Sequence, residues 1–304
     1  MDYVTFCESL LAKLGSILPD EYVSAGVRCV PELMNCPFLI LVHQDGHRVP
    51  LFPISELYSQ YRKYHWEEQF PDMEFMETII SLLSPENAKG QILHVFGNAQ
   101  MFGSYMDQIP NRPWLDLRIY YRLYVNERYF FTINNILMAE WGFSEADLFT
   151  FAEQNYERLF VPVCFSMNRT LFGNGDSSFM KEDYRSSIDS SFPLEQHDLW
   201  TLSAQLKNVP GWTGFGAMVF LHPQALSYLA EKSQDDFYVL PSSTHELFCI
   251  PCGFCQDLNT ALETVVSSNK NIPAVEFLSN SVYRYCRETG EFNIAITQDT
   301  EVSN

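Results

Sequence analysis

The chain has 304 residues, of which 46% are hydrophobic and 15% aromatic, so it is long enough for one large α+β unit or two to three smaller ones. This composition excludes a fully disordered chain, which would be poor in aromatic residues. The 38 acidic residues against 19 basic ones give a net charge of −19, which disfavours binding to nucleic acids or anionic membranes. A protein partner is compatible with this charge.

The beginning of the chain lacks the basic region of a signal peptide, and no apolar run is long enough to cross a bilayer. We therefore expect a cytoplasmic protein. The eight cysteines are scattered along the chain and do not resemble the framework of a small disulfide-rich domain. In a reducing compartment we expect them to be free thiols.

The first part of the chain predicts an amphipathic helix followed by three strands and two helices. The helix covers residues 3–18, and its predicted apolar face holds Val4, Cys7, Leu11, Leu14 and Leu18. The strands are predicted at residues 22–30, 38–42 and 48–52, and the helices at 53–64 and 73–83.

The middle of the chain predicts more strands and a capped helix. The strands are expected at residues 92–96, 117–125 and 128–133. Ser144 is expected to cap a helix whose apolar face holds Leu148, Phe151 and Ala152, and Gly142 to close the preceding helical turn in a left-handed conformation. Residues 168–212 contain small polar clusters that predict a loop-rich excursion.

The last part of the chain gives the clearest pattern. Strands are predicted at residues 216–221, 237–240 and 247–250, helices at 223–231 and after the cap Asp257, and a final hairpin from 282–287 and 292–296. The helix after Asp257 is expected to bury Leu258, Ala261, Leu262 and Val265. The order of these elements predicts helices packed on a mostly antiparallel sheet.

These patterns together predict an α+β fold with mostly antiparallel sheets and packed helices, organised in two or three subdomains. The predicted boundaries are an N-terminal helix and strand unit at residues 1–90, a middle α+β unit at 91–165, a loop-rich excursion at 166–212 and a C-terminal α+β unit at 213–304.

Four segments of the chain occur in the order of motifs of a known family. They are residues 109–117, 138–148, 236–246 and 278–283, the last followed by 287–290. With these segments the chain resembles an uncharacterised bacterial domain-of-unknown-function family common in gut anaerobic Firmicutes. The resemblance extends over most of the chain from about Ile92 onward and is weaker before it. It implies a fold but no catalytic residues, since the family has no assigned activity.

The cysteines Cys249, Cys252 and Cys255 have a C-x-x-C-x-x-C spacing, which can place several thiolates on one metal ion or cluster. His245 or Cys286 would supply a fourth ligand. The alternative is that these are inert thiols, because Cys249 lies in a predicted buried strand and a second C-x-x-C pair is missing. Cys249 and Cys252 also replace the aliphatic and acidic residues usual in the family, so such a site would be peculiar to this chain.

The segment between two predicted strands, residues 242–246, offers a nucleophile, a base and a carboxylate. Its candidate catalytic residues are Ser242, Ser243, His245 and Glu246. Neighbours on an extended chain point to opposite faces, and no G-x-S-x-G motif accompanies them. The alternative is a turn whose hydroxyl groups bond to nearby backbone atoms.

Three charged residues, Arg112, Asp116 and Arg122, lie around a predicted strand start. We interpret them as a charged cluster, either a buried ion pair or an anion-binding arginine. Residues 173–176 resemble a phosphate or calcium loop but lack the Lys-Ser/Thr of a P-loop and the last glutamate of an EF-hand. The sequence therefore predicts no cofactor.

Two hypotheses of function follow. The first is a non-enzymatic binding or protein-interaction module, because no complete catalytic constellation is present in an acidic, aromatic-rich chain. The alternative is a hydrolase or metal-dependent enzyme that uses residues 242–246 and the neighbouring cysteines.

Overall fold

The computed structural model describes residues 1–33, 36–63, 73–166, 199–209, 213–241 and 243–298. It confirms the predicted α+β class, since helices pack on antiparallel sheets. The predicted loop-rich excursion lies mostly outside the described residues, but its described part contains a buried strand, Trp200–Leu206, where the sequence predicted a loop. In the described part of the chain, no helix is both long enough and apolar enough to span a membrane.

The helices of the described residues are α1 (Tyr3–Gly15), α2 (Ile54–Lys63), α3 (Met73–Ser81), α4 (Pro85–Ala88), α5 (Ala99–Phe102), α6 (Asn135–Glu140), α7 (Glu145–Leu159), α8 (Pro223–Ser233) and α9 (Leu258–Asn269). The strands are β1 (Tyr22–Val30), β2 (Cys36–His43), β3 (Arg48–Pro53), β4 (Ile92–Asn98), β5 (Asn111–Trp114), β6 (Leu117–Tyr124), β7 (Phe130–Thr132), β8 (Phe160–Ser166), β9 (Trp200–Leu206), β10 (Thr213–Gly214), β11 (Phe237–Pro241), β12 (Leu247–Pro251), β13 (Ser281–Tyr285) and β14 (Phe292–Thr297).

These strands form three sheets. The first has the order β1-β2-β3, and both of its ladders are antiparallel. The second has the order β10-β9-β12-β11-β13-β14, with β8 paired to β9. The third has the order β4-β6-β5, with β7 paired to β6. Polar turns join β2 to β3 and β13 to β14, as the sequence predicted.

The chain divides into two compact units. Unit 1 comprises residues 1–94, 102–112 and 120–156, and unit 2 comprises residues 95–101, 113–119 and 157–304. The division into four segments at residues 1–90, 91–165, 166–212 and 213–304 remains a prediction.

Unit 1 contains an extended apolar core. Helices α1, α2 and α3 bury side chains against β2 and β3, and a stacked pair of rings, Phe52 and Phe131 with centroids 3.8 Å apart, lies inside it. Aromatic contacts of this kind add to the burial of apolar area, which is the main force holding such a unit together. The buried ion pair between Glu56 and Arg122 lies in the same unit.

The local signals for helix ends are confirmed. Ser144 and Asp147 cap α7 reciprocally, because the Ser144 N–H donates to Asp147 at 2.8 Å and the Asp147 N–H to the Ser144 hydroxyl at 3.3 Å. Gly142 has a φ of 71°, the left-handed conformation expected of a residue that closes a helical turn. Asp257 accepts the N–H groups of Asn259 and Thr260 at the start of α9.

Two expectations were wrong, the first of them in part. On the predicted apolar face of α1, Leu14 is buried and Cys7 and Leu11 pack partly buried against the core, but Val4 is 63% exposed. Phe6 and Leu10, which the prediction left out, are fully buried. Leu18 lies beyond the end of the helix.

The second error concerns residues 216–221, which form a buried 3₁₀ helix and not a strand. A short apolar run does not distinguish a buried strand from a buried helical turn. Here Phe215, with a φ of 51°, turns the chain, and the N–H of Gly216 donates to the His245 carbonyl at 3.0 Å.

Candidate functional site

The polar turn between β11 and β12 contains the predicted catalytic residues. Ser242 lies outside the described residues. Ser243 is buried, and its hydroxyl accepts the backbone N–H of His245 at 3.1 Å. The Ser243 N–H in turn donates to the carbonyl of Glu246 at 3.2 Å. Ser243 therefore stabilises the turn, as a serine in an ST-type turn does.

His245 has a carboxylate partner, but that partner is not Glu246. Its Nε2 lies 3.4 Å from Oε1 of Glu276, and its side chain is 44% exposed. The sequence missed Glu276 because this residue follows α9, and only the tertiary fold brings it to the turn. Among the described residues, no hydroxyl or thiol is hydrogen-bonded to the His245 ring. The described residues of the turn thus provide a histidine–carboxylate pair, and catalysis there stays a prediction.

The three cysteines of the C-x-x-C-x-x-C segment lie in different environments. Cys249 is fully buried in β12, and burial raises the pKa of its thiol well above the usual value. Burial also raises the pKa of Cys252, to about 11, and that of Cys255. Metals bind the thiolate form, which such environments disfavour. Within the described ranges, no group of three or more His, Cys, Asp or Glu side chains is arranged to hold a metal ion.

A pocket of about 520 Å³ lies in unit 2 beside α9. Its lining comes from β11, from β12 and the turn that follows it, from α9, and from the residue that precedes β9. The lining residues are Leu199, Leu240, Phe248, Ile250, Phe254, Cys255, Gln256, Asp257, Thr260, Ala261, Thr264 and Ser268. Small-molecule sites in proteins have volumes of roughly 300–1,000 Å³, so this pocket is of the size that an organic ligand requires.

The sheet wall of the pocket follows from the alternation of side chains along a strand. In β12, Leu247 and Cys249 are buried in the core, whereas Phe248 and Ile250 are only half-buried on the opposite face. Leu240 of β11 lies directly opposite Phe248 in the antiparallel register. The sheet therefore presents an apolar wall to the pocket, in which Leu240 is buried and Phe248 and Ile250 are half-buried.

The helix wall of the pocket is polar. Helix α9 buries Ala261 and Val265 against the sheet, as its periodicity predicted. Thr260, Thr264 and Ser268 recur at every fourth position and line the pocket, because residues spaced in this way share one face of a helix. A row of hydroxyl groups thus lies opposite the apolar sheet wall.

A second cavity, in the core of unit 1, is much smaller. It measures about 20 Å³ and is lined by apolar side chains such as Leu51, Leu82 and Leu123. This volume accommodates about one water molecule and excludes an organic ligand.

The charged residues Arg112, Asp116 and Arg122 do not form one cluster, because each contacts different partners. The ion-pair alternative holds for the two arginines, which pair with Glu145 and Glu56, respectively. Arg112 forms two hydrogen bonds with Glu145, at 2.8 and 2.9 Å, and its guanidinium lies 3.7 Å from the ring centroid of Phe149. Burial acts to raise the pKa of Glu145, but the hydrogen bonds from Arg112 and Tyr121 outweigh it and keep that pKa below its usual value.

Asp116 accepts hydrogen bonds from three buried hydroxyl groups. Its carboxylate binds the hydroxyls of Ser279, of Ser281 at 2.8 Å and of Tyr283 at 2.6 Å. Burial, followed by the nearby Asp116 charge, raises the pKa of Tyr283 well above its usual value, so the phenol remains a donor. The preceding residue, Leu115, has a φ of 50° and turns the chain between the end of β5 and Asp116.

A second carboxylate in unit 2, Asp236, is held by arginines. It accepts the side chain of Arg284, at 2.6 and 3.0 Å, and the backbone N–H of Arg287 at 2.8 Å. The Arg287 N–H is the largest of several hydrogen bonds that lower the pKa of Asp236. These contacts fix the start of β11 beside β13.

Comparison with known proteins gives one match. A search of curated proteins and a search of solved structures both found nothing similar to this chain. The profile of a family of unknown function, DUF5688, matches residues 3–287. This match covers nearly the whole chain, including all four motif segments. The protein is therefore a member of the DUF5688 family of unknown function.

Proposed function

We propose that the protein is a non-enzymatic binding protein and that its ligand is a small organic molecule with an apolar body and a hydrogen-bonding edge. The observation that carries this proposal is the pocket of about 520 Å³ beside α9. Its two walls differ in chemistry, and this difference defines the ligand.

The apolar wall supplies the affinity. Phe248 and Ile250 are half-buried, and Phe254 is 48% exposed. A ligand that covers these side chains removes apolar area from water, which contributes roughly 25 cal/mol per Å² before the costs of association. A polar or highly charged ligand would lack this contribution.

The hydroxyl row supplies orientation. Thr264 donates its hydroxyl to the Thr260 carbonyl at 2.8 Å, and Thr260 donates its own to Asp257 at 2.7 Å. A hydroxyl oxygen that donates one hydrogen bond keeps lone pairs to accept another. The helix wall therefore favours a ligand edge that carries N–H or O–H groups.

A binding assay tests the proposal. The probe is N-phenyl-1-naphthylamine, a neutral fluorophore with two aromatic groups and one N–H, so the charge of −19 does not repel it. We expect its fluorescence to rise on binding to the wild-type protein. Thr264→Trp places an indole in the pocket and should weaken binding at least tenfold.

The matched control is Thr150→Trp. Thr150 is also exposed on a helix and donates its hydroxyl to the carbonyl four residues earlier, at 3.0 Å, but it lies in α7. This variant should bind the probe as the wild type does. Absence of probe binding to the wild type, or equal loss in both variants, would contradict the proposal.

Cys255 provides a second readout because it lines the pocket. Alkylation by iodoacetamide is monitored at each cysteine by peptide mass spectrometry. Saturating probe should slow the alkylation of Cys255 and leave that of the exposed Cys29 unchanged. Protection of both cysteines would indicate a non-specific effect of the probe.

The hydrolase hypothesis keeps one supporting feature, the His245–Glu276 pair. His245→Ala separates the two functions, because His245 does not line the pocket. We expect this variant to bind the probe normally. Loss of an esterase activity on p-nitrophenyl acetate, in a variant that still folds, would favour the hydrolase instead.

A further inference from the structure

The pocket beside α9 has one negative charge on its described lining. Asp257 lines the pocket, and hydrogen bonds from Thr260 and Asn259 keep the pKa of this carboxyl below its usual value, so it is ionised at neutral pH. The other titratable lining residue is Cys255, whose thiol stays neutral because burial raises its pKa. None of the described lining residues is a lysine, an arginine or a histidine. The described lining therefore favours a cation over an anion.

The start of α9 does not offer an anion site either. Free N–H groups in the first turn of a helix attract anions. Here the Asp257 carboxylate accepts the N–H of Asn259 at 3.0 Å and that of Thr260 at 3.3 Å. A ligand carboxylate or phosphate at this end of the helix would face the negative charge of Asp257.

The two threonines beside this charge are acceptors for a ligand. A hydroxyl group has one hydrogen, and Thr264 donates its own to the Thr260 carbonyl at 2.8 Å, while Thr260 donates its own to Asp257 at 2.7 Å. An ammonium group that donates to the Thr260 oxygen therefore lies within about 6 Å of the Asp257 carboxylate, since the two hydrogen bonds share that oxygen. Opposite charges stabilise each other at this separation.

We propose that the ligand of this pocket is a protonated primary amine with an apolar, aromatic body. This inference rests on the proposed function, because it specifies the ligand of the same pocket. Phe248 and the rest of the sheet wall cover the apolar body, Thr260 and Thr264 accept the ammonium hydrogens, and Asp257 supplies the opposite charge. The net charge of −19 acts in the same direction, since it attracts cations to the surface.

Competition between three ligands with one ring system tests the charge. Naphthylethylamine, naphthylethanol and naphthylacetate are positive, neutral and negative at neutral pH, and each is used to displace N-phenyl-1-naphthylamine from the wild type. We expect the amine to bind roughly fivefold more tightly than the alcohol, and the acetate to bind most weakly. Added salt should weaken binding of the amine and leave that of the alcohol unchanged, because salt screens the attraction to Asp257.

A single substitution tests the residue. Asp257→Asn removes the charge and keeps the helix cap, because asparagine is as good an N-cap residue as aspartate. It should lower the affinity for the amine roughly fivefold and leave the affinities for the alcohol and the fluorophore unchanged. The matched control is Glu263→Gln, which removes one negative charge from an exposed position of α9 that is not part of the lining. This variant should bind all three ligands as the wild type does.

The assay separates this inference from the proposed function. Absence of fluorophore binding to the wild type contradicts the proposed function itself. Fluorophore binding with equal affinities for the amine and the alcohol overturns the amine as ligand and leaves the binding function intact. Equal losses of amine affinity in Asp257→Asn and Glu263→Gln overturn it as well, since only the net charge of the surface would then matter.

Discussion

His94 of β4 should make the stability of this protein depend on pH between about 6.5 and 4. Its side chain is 2% exposed and lies between the rings of Phe149 and Tyr156, whose centroids are 6.3 and 6.0 Å away. Neither ring nitrogen of His94 has a hydrogen-bond partner among the residues that the structure describes. Burial lowers the pKa of His94 from 6.5 to about 4, since no nearby group stabilises the imidazolium.

The sign of the effect follows from proton binding. Between pH 6.5 and 4 the unfolded chain binds a proton at His94 and the folded chain does not, so acid favours the unfolded state. The stabilisation is complete above pH 6.5 and is lost as the pH falls towards 4. Each unit of pKa difference corresponds to about 1.36 kcal/mol. The difference of about 2.5 therefore lowers the free energy of unfolding by roughly 3 kcal/mol at pH 4.

His94→Leu removes this titration and keeps an apolar side chain between the two rings. The free energy of unfolding of the wild type and of this variant should be measured by urea denaturation at pH 7.5 and pH 4. Titrations of the many carboxylates are common to both proteins and cancel in the difference. We expect the difference in the free energy of unfolding, variant minus wild type, to be about 3 kcal/mol larger at pH 4 than at pH 7.5.

A difference that stays constant with pH would refute this reasoning. The wild type offers an independent check, because the imidazole resonances of His94 in NMR spectra should remain those of the neutral ring down to about pH 5. An imidazolium at pH 6 in the folded protein would show that His94 is solvated or paired.

Two further substitutions test the contacts of unit 2. Asp116→Ala removes the carboxylate that accepts from three buried hydroxyl groups. Because Asp116 itself is exposed and the Ser281 hydroxyl also contacts that of Thr297 at 2.9 Å, we expect a loss of about 1.5–3 kcal/mol in urea denaturation, the contribution of one hydrogen bond to a charged group. Wild-type stability of this variant would show that solvent replaces the carboxylate. Gly216→Ala places a Cβ 2.3 Å from the carbonyl oxygen of His245 and should abolish the folded state at 37 °C. The control is Gly90→Ala, whose added Cβ has no described atom within 4 Å beyond those of its neighbours along the chain. This variant should unfold at the same temperature as the wild type. Equal thermal stability of the two glycine variants would contradict this account.

The sequence predicted best where the cause of the structure is local. The cap at Asp257, the reciprocal cap of Ser144 and Asp147 and the left-handed Gly142 depend on residues at most three positions apart. The strands on either side of the polar turn were also located, because short apolar segments bounded by polar residues are strong signals.

Features that depend on tertiary packing could not be predicted from the sequence. Helix α1 carries two apolar stripes, and only the shape of the core decides that Phe6 and Leu10 are buried while Val4 is exposed. The carboxylate beside His245 was missed for the same reason, since Glu276 reaches it through the packing of α9. The pocket needs both the half-buried face of β12 and the hydroxyl face of α9, and neither pattern alone indicates a ligand site.

The contrast between the polar turn and the pocket is the reason why we propose binding and not catalysis. In the turn, the Ser243 hydroxyl and the His245 backbone are already used by hydrogen bonds that hold the strands and the 3₁₀ helix in place. In β12, alternate side chains point into the core, and the others, Phe248 and Ile250, stay half-buried. Their apolar area that remains in contact with water is energetically unfavourable. A ligand would remove that cost, and binding would stabilise the folded protein in proportion to its affinity.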